Sequence, residues 1–328
     1  MKYQYIGVDL AKEKLDVYSK RSGYVPLRND DAGRQRLLDI VKQAGPNALV
    51  AYESTGNVSK RFASFLYDNG VTQRCINARK VYKYAEAADK FAKTDKEDCL
   101  TIYEYAIWRK VEPDALHSKF ILRLRELVSL RKSMVESRKT LKCARHGGDE
   151  SDAPHTARIL ETFDEEISAM ERRIEAFIMT HETYGPLHKA LLKEPGIGKV
   201  AAMTLIAYLP ELGHVSHRKI AGIAGLAPKN NDSGETSGPR HIKGGRMALR
   251  NELYMVQVAC THLKNWQLRE FYERKSEVKP TRVALIACCR RRLVQLNAKV
   301  RDWYHNGCNG TLPQVGSGEA AQASPRKR

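Results

Sequence analysis

Four acidic residues in the first third of the chain stand at places where their carboxylates could share a metal ion. Asp9 ends one apolar stretch and Glu53 ends another. Carboxylates at the ends of neighbouring strands can converge on one point. Asp95 and Asp98 are three residues apart, so on a helix they would share one face. Hard oxygen ligands of this kind select Mg²⁺ or Mn²⁺.

Gathered in one place, these carboxylates would repel each other strongly unless cations neutralised them. Two divalent ions about 4 Å apart can hold a scissile phosphate and activate the attacking oxygen. Each acid alone has an ordinary alternative: Asp9 as a turn residue, and Asp95 or Asp98 as a solvated helix residue or a helix N-cap. Asp9 follows an apolar run, where a charge needs a reason, so the combination favours a site.

A polar, glycine-rich stretch over 231–246 brings hydroxyl and basic groups together in a pattern that suits a phosphate. Its candidate residues, including one in the helix predicted over 247–263, are Ser233, Ser237, Arg240, Lys243, Arg246 and Arg250. The ordinary alternative for this composition is a flexible loop.

A second candidate for phosphate binding lies at 195–199, between two segments with helical composition. A hairpin containing Gly196 and Gly198 would expose backbone N–H groups beside Lys199. This pattern resembles a helix-hairpin-helix motif, and the alternative is a tight connection that does not contact DNA. The small, apolar segment 220–228 predicts close helix packing rather than a nucleotide loop, since no Gly-Lys-Ser/Thr follows it.

Alternating strands and helices are predicted over residues 1–112, which contain the acids. The predicted strands cover 3–10, 15–19, 24–27, 48–52 and 71–76, and the helices cover 31–43, 58–68 and most of 78–110. Three strands followed by alternating helices and strands indicate an α/β sheet with both faces partly covered.

The remainder of the chain is predicted to be mainly helical. Residues 113–184 place apolar residues at helical spacing on both sides of a polar break. This pattern indicates an antiparallel coiled-coil hairpin that acts as a spacer or dimerisation arm. Residues 185–305 form a second compact, helical unit. Residues 306–328 are rich in Gly, Ser and Ala and end in basic residues, which predicts a disordered basic tail.

The composition indicates a polyanionic partner. The 328 residues carry a net charge of +18 and a pI near 9.6, and nucleic acid is the usual partner of such a chain. A ribosome-associated or membrane-surface protein is the alternative. We expect no membrane partner, because no apolar run is long enough to span a bilayer. The seven scattered cysteines lack zinc-ligand spacing, which predicts free thiols in a reducing cytoplasm, and no signal peptide is visible.

The order of elements resembles the ribonuclease-H-like fold of RuvC-type nucleases. The strings Tyr5-Ile6-Gly7-Val8-Asp9-Leu10-Ala11-Lys12, Tyr52-Glu53-Ser54-Thr55-Gly56 and Lys93-Thr94-Asp95-Lys96-Glu97-Asp98 resemble those of DEDD-type insertion-sequence transposases, the insertion sequence 110 family. That family includes the Piv DNA invertases and recombinases guided by a bridge RNA. The C-terminal block resembles the same family through Ser233-Gly234, Lys243-Gly244-Gly245 and Leu249-Arg250-Asn251-Glu252-Leu253-Tyr254. The resemblance spans about residues 3 to 304.

The resemblance implies that Asp9, Glu53, Asp95 and Asp98 bind the metal and that Ser233 is the nucleophile, with Ser237 as its rival. It implies a composite site, in which the acids of one subunit act with the serine of another through a covalent phosphoserine. The implied partners are donor and target DNA, a bridge RNA and further copies of the chain, as a dimer or tetramer. The alternatives are a RuvC-like structure-specific endonuclease that uses water, and a non-enzymatic nucleic-acid scaffold.

Overall fold

The computed structural model describes residues 3–90, 94–114, 119–145, 153–233, 236–263, 266–308 and 312; it does not describe the side chains of residues 57, 145, 231–233, 236, 237 and 239. The chain divides into two compact units, Met1–Phe120 and Ile121–Arg328. Both are described separately below.

The first unit is a mixed α/β fold around a five-stranded sheet. Its strands are β1 (Gln4–Leu10), β2 (Lys14–Ser19), β3 (Gly23–Arg28), β4 (Ala48–Glu53) and β5 (Gln73–Ile76), in the spatial order β3-β2-β1-β4-β5. Its helices are α1 (Asp31–Ala44), α2 (Asn57–Asp68), α3 (Ala78–Ala87) and α4 (Asp95–Arg109). The first three strands pair antiparallel, whereas β1, β4 and β5 are parallel. This arrangement is compatible with the expected ribonuclease-H-like domain.

Alternating residues of β1 and β4 face two different apolar clusters. Ile6 and Val8 belong to a cluster that includes residues of α1 and α2, whereas Tyr5 and Leu49 belong to a cluster that includes residues of α3 and α4. Because side chains alternate along a strand, Asp9 lies on the same face as Tyr5, toward α3 and α4. Helices therefore pack their apolar residues on both faces of the sheet, as the sequence predicts.

The second unit is mainly helical. Its helices are α5 (Lys119–Arg145, which begins at the unit boundary), α6 (Ala153–Met179), α7 (Tyr184–Leu192), α8 (Lys199–Tyr208), α9 (His217–Ile223), α10 (Met247–Cys260), α11 (Arg269–Ser276) and α12 (Thr281–His305). Two antiparallel strands, β6 (Pro228–Ser233) and β7 (Thr236–Ile242), pair with each other. In the part of the chain that the structure describes, no helix combines the length and apolar character needed to cross a membrane. Most of the predicted tail, 309–311 and 313–328, lies outside that part.

Helices α5 and α6 are two long helices of 27 residues each. Arg131 pairs with Glu171, and Arg138 pairs with Asp164. Residue numbers rise along one helix as they fall along the other, so the two helices run antiparallel. A coiled coil is not confirmed, because Leu130, expected in its apolar seam, is 50% exposed. Residues 146–152, which include most of the predicted polar break, lie outside the described residues.

Candidate active site

Helix α4 crosses strand β1 at Gly7, where the two backbones nearly touch. A Cβ built on Gly7 would lie 2.4 Å from the carbonyl oxygen of Cys99 and 2.7 Å from the backbone nitrogen of Tyr103. Real Cβ atoms do not approach other atoms so closely, so any larger residue would force the helix away from the strand. Glycine at this position therefore permits the packing that places the start of α4 beside the end of β1.

The first turn of α4 is fixed by its cap. Thr94 is the N-cap residue, and its hydroxyl accepts a hydrogen bond from the backbone N–H of Glu97 at 3.2 Å. Threonine followed three residues later by glutamate is the sequence pattern of a capping box. The alternative that Asp95 or Asp98 caps this helix is thus wrong, because both lie inside its first turn.

Three carboxylates meet where β1, β2 and α4 come together. Oxygen atoms of Asp9, Asp16 and Asp95 lie within 4.8 Å of one another. Asp9 and Asp16 are direct cross-strand partners in the antiparallel β1–β2 ladder, so their side chains share one face of the sheet. The pKa of Asp9 is raised by burial, and then by the negative charges of Asp98, Asp16 and Asp95. The site therefore concentrates negative charge around a half-buried acid.

The other two predicted acids flank this group. Val8 is the register partner of Tyr52 in the parallel β1–β4 pair, so Glu53 follows beside Asp9 on the same edge of the sheet. Asp98 lies one turn along α4 from Asp95. Among the charged residues, it contributes most to raising the pKa of Asp9. The structure thus brings Asp9 and Asp95 together with Asp16, and places Glu53 and Asp98 around them.

Two neighbours hold the carboxylates in position. The hydroxyl of Tyr24 on β3 donates to Asp16 at 2.7 Å, and this hydrogen bond raises the pKa of Tyr24 to about 12. Tyr24 therefore remains a protonated donor at neutral pH. The Nζ of Lys14 lies 3.1 Å from Asp95, and both side chains are more than half exposed. Lys14 thus partly neutralises the most exposed acid of the group.

The predicted 195–199 hairpin of the second unit connects α7 and α8, and its inner side packs against other helices of the unit. A Cβ on Gly196 would lie 2.2 Å from the Sγ of Cys260, so the hairpin packs directly on α10. Glu194, the residue just before the hairpin, is buried. Its carboxylate accepts hydrogen bonds from Lys299 at 2.8 Å and from Arg292 at 2.9 Å. All three side chains are less than 10% exposed. One buried acid thus fixes the base of the hairpin to α12.

The outer side of the same hairpin is open. Gly198 is exposed at the N-terminus of α8, and a Cβ built on it would meet nothing within 4 Å. Lys199 is exposed and pairs with Glu175 of α6 at 2.9 Å. This geometry leaves room for a phosphate next to Gly198, although Lys199 already has a carboxylate partner.

The stretch predicted as a polar glycine-rich loop forms a β-hairpin over much of its length. Ser233 is the last residue of β6 and is the Cα partner of Thr236, while Ser237 is opposite Asp232. The side chains of both serines, and all of Gly234, lie outside the described residues. The structure therefore shows where the two serines stand on the backbone, at one end of the hairpin.

The four basic residues of this region divide into two pairs. Arg246 donates to both carboxylate oxygens of Glu211 at 2.6 Å, and Arg250 donates to the carbonyl oxygen of Gly244 at 2.6 Å. These internal contacts assign Arg246 and Arg250 to the scaffold of the loop. Arg240 and Lys243 are exposed, which makes their side chains accessible to a phosphate.

The apolar segment 220–228 is packed closely, as its composition predicts. A Cβ on Gly225 would lie 2.1 Å from the carbonyl oxygen of Gly244, and one on Gly245 would lie 2.2 Å from the backbone nitrogen of Gly225. The backbone of this segment therefore touches the Lys-Gly-Gly turn directly, which excludes a bound nucleotide between them.

Comparison with known proteins assigns both parts of the chain to one family. A family model of DEDD, IS110-type transposases matches residues 6–147, and the model described as "Transposase IS116/IS110/IS902 family" matches residues 188–273. The chain belongs to the IS110 family of DEDD transposases. Membership of this family identifies it as a DNA transposase or recombinase.

Several curated proteins are similar to this transposase. The "Insertion element IS110 uncharacterized 43.6 kDa protein" of Streptomyces coelicolor is 29% identical over 152 residues, which are 45% of this chain and 36% of that protein. The chain thus matches just over a third of that relative. The pilin gene-inverting proteins of Moraxella bovis and Moraxella lacunata are each 21% identical over 315 residues, which are 92% of this chain and 96% of those proteins.

The acidic group of the transposase suits a divalent cation. Its donors are carboxylate oxygens, which are the preferred ligands of hard cations. Burial, and then repulsion by the neighbouring acids, raises the pKa of Asp9, and a bound cation would offset that repulsion. The DEDD family match likewise indicates dependence on a divalent metal.

Asp16 is the residue that the sequence prediction missed. The strand around it was predicted, and an acid between Leu15 and Val17, both fully buried, was a visible signal. An unpaired carboxylate in such a strand is costly, so it requires a partner or a function. The antiparallel register that places Asp16 opposite Asp9 could not be obtained from the same signal.

Proposed function

We propose that this transposase cuts and rejoins DNA strands by using a metal-dependent acidic site and a serine nucleophile. The observation that carries the proposal is the convergence of Asp9 and Asp95, from two separate family motifs, at one edge of the sheet. Two acids that are 86 positions apart in sequence have no packing reason to meet, because each adds to the repulsion on the other.

The metal ligands we propose are Asp9, Glu53, Asp95 and Asp98, with Asp16 as a further carboxylate next to them. Mg²⁺ is the ion of choice and Mn²⁺ is an acceptable substitute, because both take oxygen ligands. A bound divalent cation would polarise the phosphate and offset its developing negative charge. The role of the chain is to hold the carboxylates at fixed positions, which Tyr24 supports through Asp16.

We assign the nucleophile to Ser233. Its Oγ would form a bond to phosphorus while one phosphorus–oxygen bond of the DNA strand breaks. The proton of the serine passes to the deoxyribose oxygen that leaves, so the strand end is released as a hydroxyl. The hydroxyl of a second strand then attacks the phosphoserine, which regenerates the serine and reseals the DNA. The exchange conserves the phosphodiester bond energy and needs no ATP.

The DNA contacts we propose lie on the second unit. The exposed hairpin at Gly196, Gly198 and Lys199 would hold a backbone phosphate, since backbone N–H groups at a helix N-terminus favour an anion. Arg240 and Lys243 are exposed and would stabilise the phosphate near the serines. Arg246 and Arg250, bound within the protein, would fix the shape of this loop.

The remaining partners follow from the family. We propose that the acids of one copy act with the serine of another in a dimer or tetramer, and that a bridge RNA selects the DNA. All seven cysteines lie in the described part and are free thiols, which suits a reducing cytoplasm.

A denaturing gel with labelled DNA, RNA and Mg²⁺ tests the serine assignment. The wild-type protein is expected to form a protein–DNA band that survives denaturation. Ser233→Ala should bind DNA as before and form no such band, whereas Ser237→Ala should still form it, because its hydroxyl takes no part in the bond.

The same gel separates the alternatives. A covalent band that persists in Ser233→Ala would exclude this residue, and its loss in Ser237→Ala alone would move the nucleophile to Ser237. Metal-dependent nicking by the wild type without any band would indicate a water-using endonuclease. Binding with neither nicking nor a band would indicate a scaffold protein.

A further inference from the structure

A cleft between helices α3 and α4 of the first unit has the composition of a binding site. Its volume is about 570 Å³, and it is lined by basic and aromatic side chains together with two alanines at the end of α3. The basic and aromatic residues are Arg79, Lys80, Lys83, Tyr84, Tyr105 and Trp108. This volume lies within the range of natural ligand sites, which is roughly 300 to 1,000 Å³. None of the predicted metal ligands lines this cleft.

The aromatic side chains form a continuous platform that ends in solvent. The ring of Tyr84 lies 5.7 Å from that of Tyr105 and 5.5 Å from that of Trp108, measured between centroids. Tyr105 is 6% exposed, whereas Trp108 is 65% exposed. An inner tyrosine thus supports an outer tryptophan that is mostly exposed in the described part of the chain. Such large exposed apolar area commonly marks an interaction site.

Among the described residues, the charged side chains that line this cleft are all basic, while Glu86 and Glu104 lie near it without lining it. Arg79 and Lys80 precede Lys83 by three or four residues on α3, so the three side chains lie on neighbouring positions of the helix surface. The small side chains of Ala87 and Ala88 continue the same face and leave the space open. Of the three cations, Lys83 also pairs with Glu86.

We propose that this cleft binds an unpaired stretch of DNA, with a base stacked on Trp108 and backbone phosphates on Arg79 and Lys80. An aromatic face flanked by cations is the combination that binds single strands, because every base offers a face for stacking. A base within a duplex is covered by its neighbours and cannot stack on a protein side chain. The cleft works independently of the serine and the metal.

Tryptophan fluorescence gives the most direct test on the full-length protein. Trp266 and Trp303 are buried, with 9% and 1% exposure, so Trp108 is the tryptophan that a base can reach. Unlabelled oligothymidine is expected to quench the fluorescence of the wild type, and Trp108→Phe should remove most of that quenching. Equal quenching in both proteins would overturn the stacking on Trp108.

Affinity measurements then test the two halves of the cleft. Trp108→Ala should weaken binding of single-stranded DNA by roughly 5- to 100-fold, which is the range for one base–aromatic stack, and should change duplex binding much less. Tyr82→Ala is the matched control, because Tyr82 is an exposed aromatic residue of α3 that does not line the cleft. Equal loss in both variants would contradict the proposal.

The cations have their own control. Arg79→Ala combined with Lys80→Ala should reduce the salt dependence of single-strand binding, lowering the log–log slope by roughly 1.4, since each of the two phosphate contacts contributes about 0.7. Lys20→Ala combined with Lys42→Ala removes the same charge from exposed positions outside the cleft and should leave the slope nearly unchanged. Equal changes of slope in both double variants would show that only the net charge matters, and would overturn the assignment of a site to this cleft.

Two further outcomes would reassign the cleft. Each assay is repeated with RNA of the corresponding sequence, and tighter, Trp108-dependent binding of the RNA would overturn the choice of DNA. A lower oligomeric state of Trp108→Ala in sedimentation, together with unchanged affinity for single strands, would show that the platform packs against another copy of the chain.

Discussion

Two groups of charged side chains in this molecule follow opposite rules. In the first unit, Asp9, Asp16 and Asp95 lie together, and the exposed ion pair between Lys14 and Asp95 offsets their negative charge only in part. In the second unit, the carboxylate of Glu194 is more deeply buried than Asp9, yet it contacts two cations, Arg292 and Lys299. One group therefore accumulates charge of a single sign, whereas the other neutralises its acid within the fold.

The difference separates a structural role from a chemical one. A buried acid with two hydrogen-bonded cations can anchor the base of a hairpin and needs no external partner. A group of acids that repel each other is tolerated only if something outside the chain completes it. Removing a charge should thus have opposite effects at the two places, and each of the following predictions tests that contrast.

The largest effect is expected on catalysis at Asp9. Asp9→Asn should lower strand cleavage in Mg²⁺ by on the order of a hundredfold or more, since one group that stabilises the reacting charge is lost. The substitution should leave the protein folded, because it relieves repulsion. Gel assays of cleavage, with circular dichroism of the same sample, measure both. Asp31→Asn changes an exposed acid of α1 and should cleave normally. Cleavage at the wild-type rate in Asp9→Asn would exclude the metal site.

The opposite result is expected at Glu194. Glu194→Gln leaves two buried cations without their carboxylate, so it should lower the free energy of unfolding by about 3–5 kcal/mol. Urea denaturation followed by circular dichroism measures this loss. Glu175→Gln breaks the more exposed pair with Lys199 and should cost about 1 kcal/mol or less. A similar, small loss in both variants would show that Glu194 does not anchor the fold.

A smaller effect, on metal affinity, is expected from the hydrogen bond between Tyr24 and Asp16. Tyr24→Phe removes the hydroxyl that donates to Asp16, which should weaken Mn²⁺ binding roughly 10-fold, as is typical for residues that orient a ligand. Tyr18→Phe is the control, because Tyr18 lies two residues along β2 from Asp16 on the same face of the strand. Mn²⁺ titration by electron paramagnetic resonance reports affinity independently of cleavage. Unchanged affinity in Tyr24→Phe would mean that Asp16 does not need this donor.

The smallest effect is a pH dependence of stability in metal-free protein. The pKa of Asp9 is higher in the folded than in the unfolded chain, so the folded state binds the proton more tightly. Between the ordinary pKa of an aspartate and the raised value, stability therefore falls as pH rises, with a slope below about 1.4 kcal/mol per pH unit. Asp9→Asn should flatten this part of the curve, and saturating Mg²⁺ should oppose the fall. A wild-type curve that rises through the same window and is unaltered in Asp9→Asn would contradict the charge repulsion at the site.

The sequence predicts the acidic site more completely than its surroundings. The apolar runs before Asp9 and Glu53 located both strand ends, because hydrophobic pattern and strand length are local properties. The three-residue spacing of Asp95 and Asp98 likewise predicted that both lie on one face of a helix, whereas the cap at Thr94 was not predicted. Asp16 was missed because its function depends on pairing with β1, and strand register is set by contacts between segments.

The β-hairpin around Ser233 was missed for a different reason. Its strands, β6 and β7, are polar at most positions, so they lack the alternation that marks a half-buried strand. The pairing of the two strands stabilises them through backbone hydrogen bonds, which do not require apolar side chains. Likewise, the roles of Arg246 and Arg250 depend on contacts with Glu211 and Gly244 that composition cannot indicate.

The close contact at Gly7 controls how far apart the carboxylates of the acidic site lie. The spacing of the carboxylates is determined two residues upstream of Asp9, by a position that carries no functional group. A methyl group added there would widen the gap between strand and helix and carry Asp95 and Asp98 with it. Random mutagenesis that selects for loss of recombination should therefore recover substitutions of Gly7 as well as of the acids. Those at Gly7 would act by changing the distance between strand and helix, and they would remove no functional group.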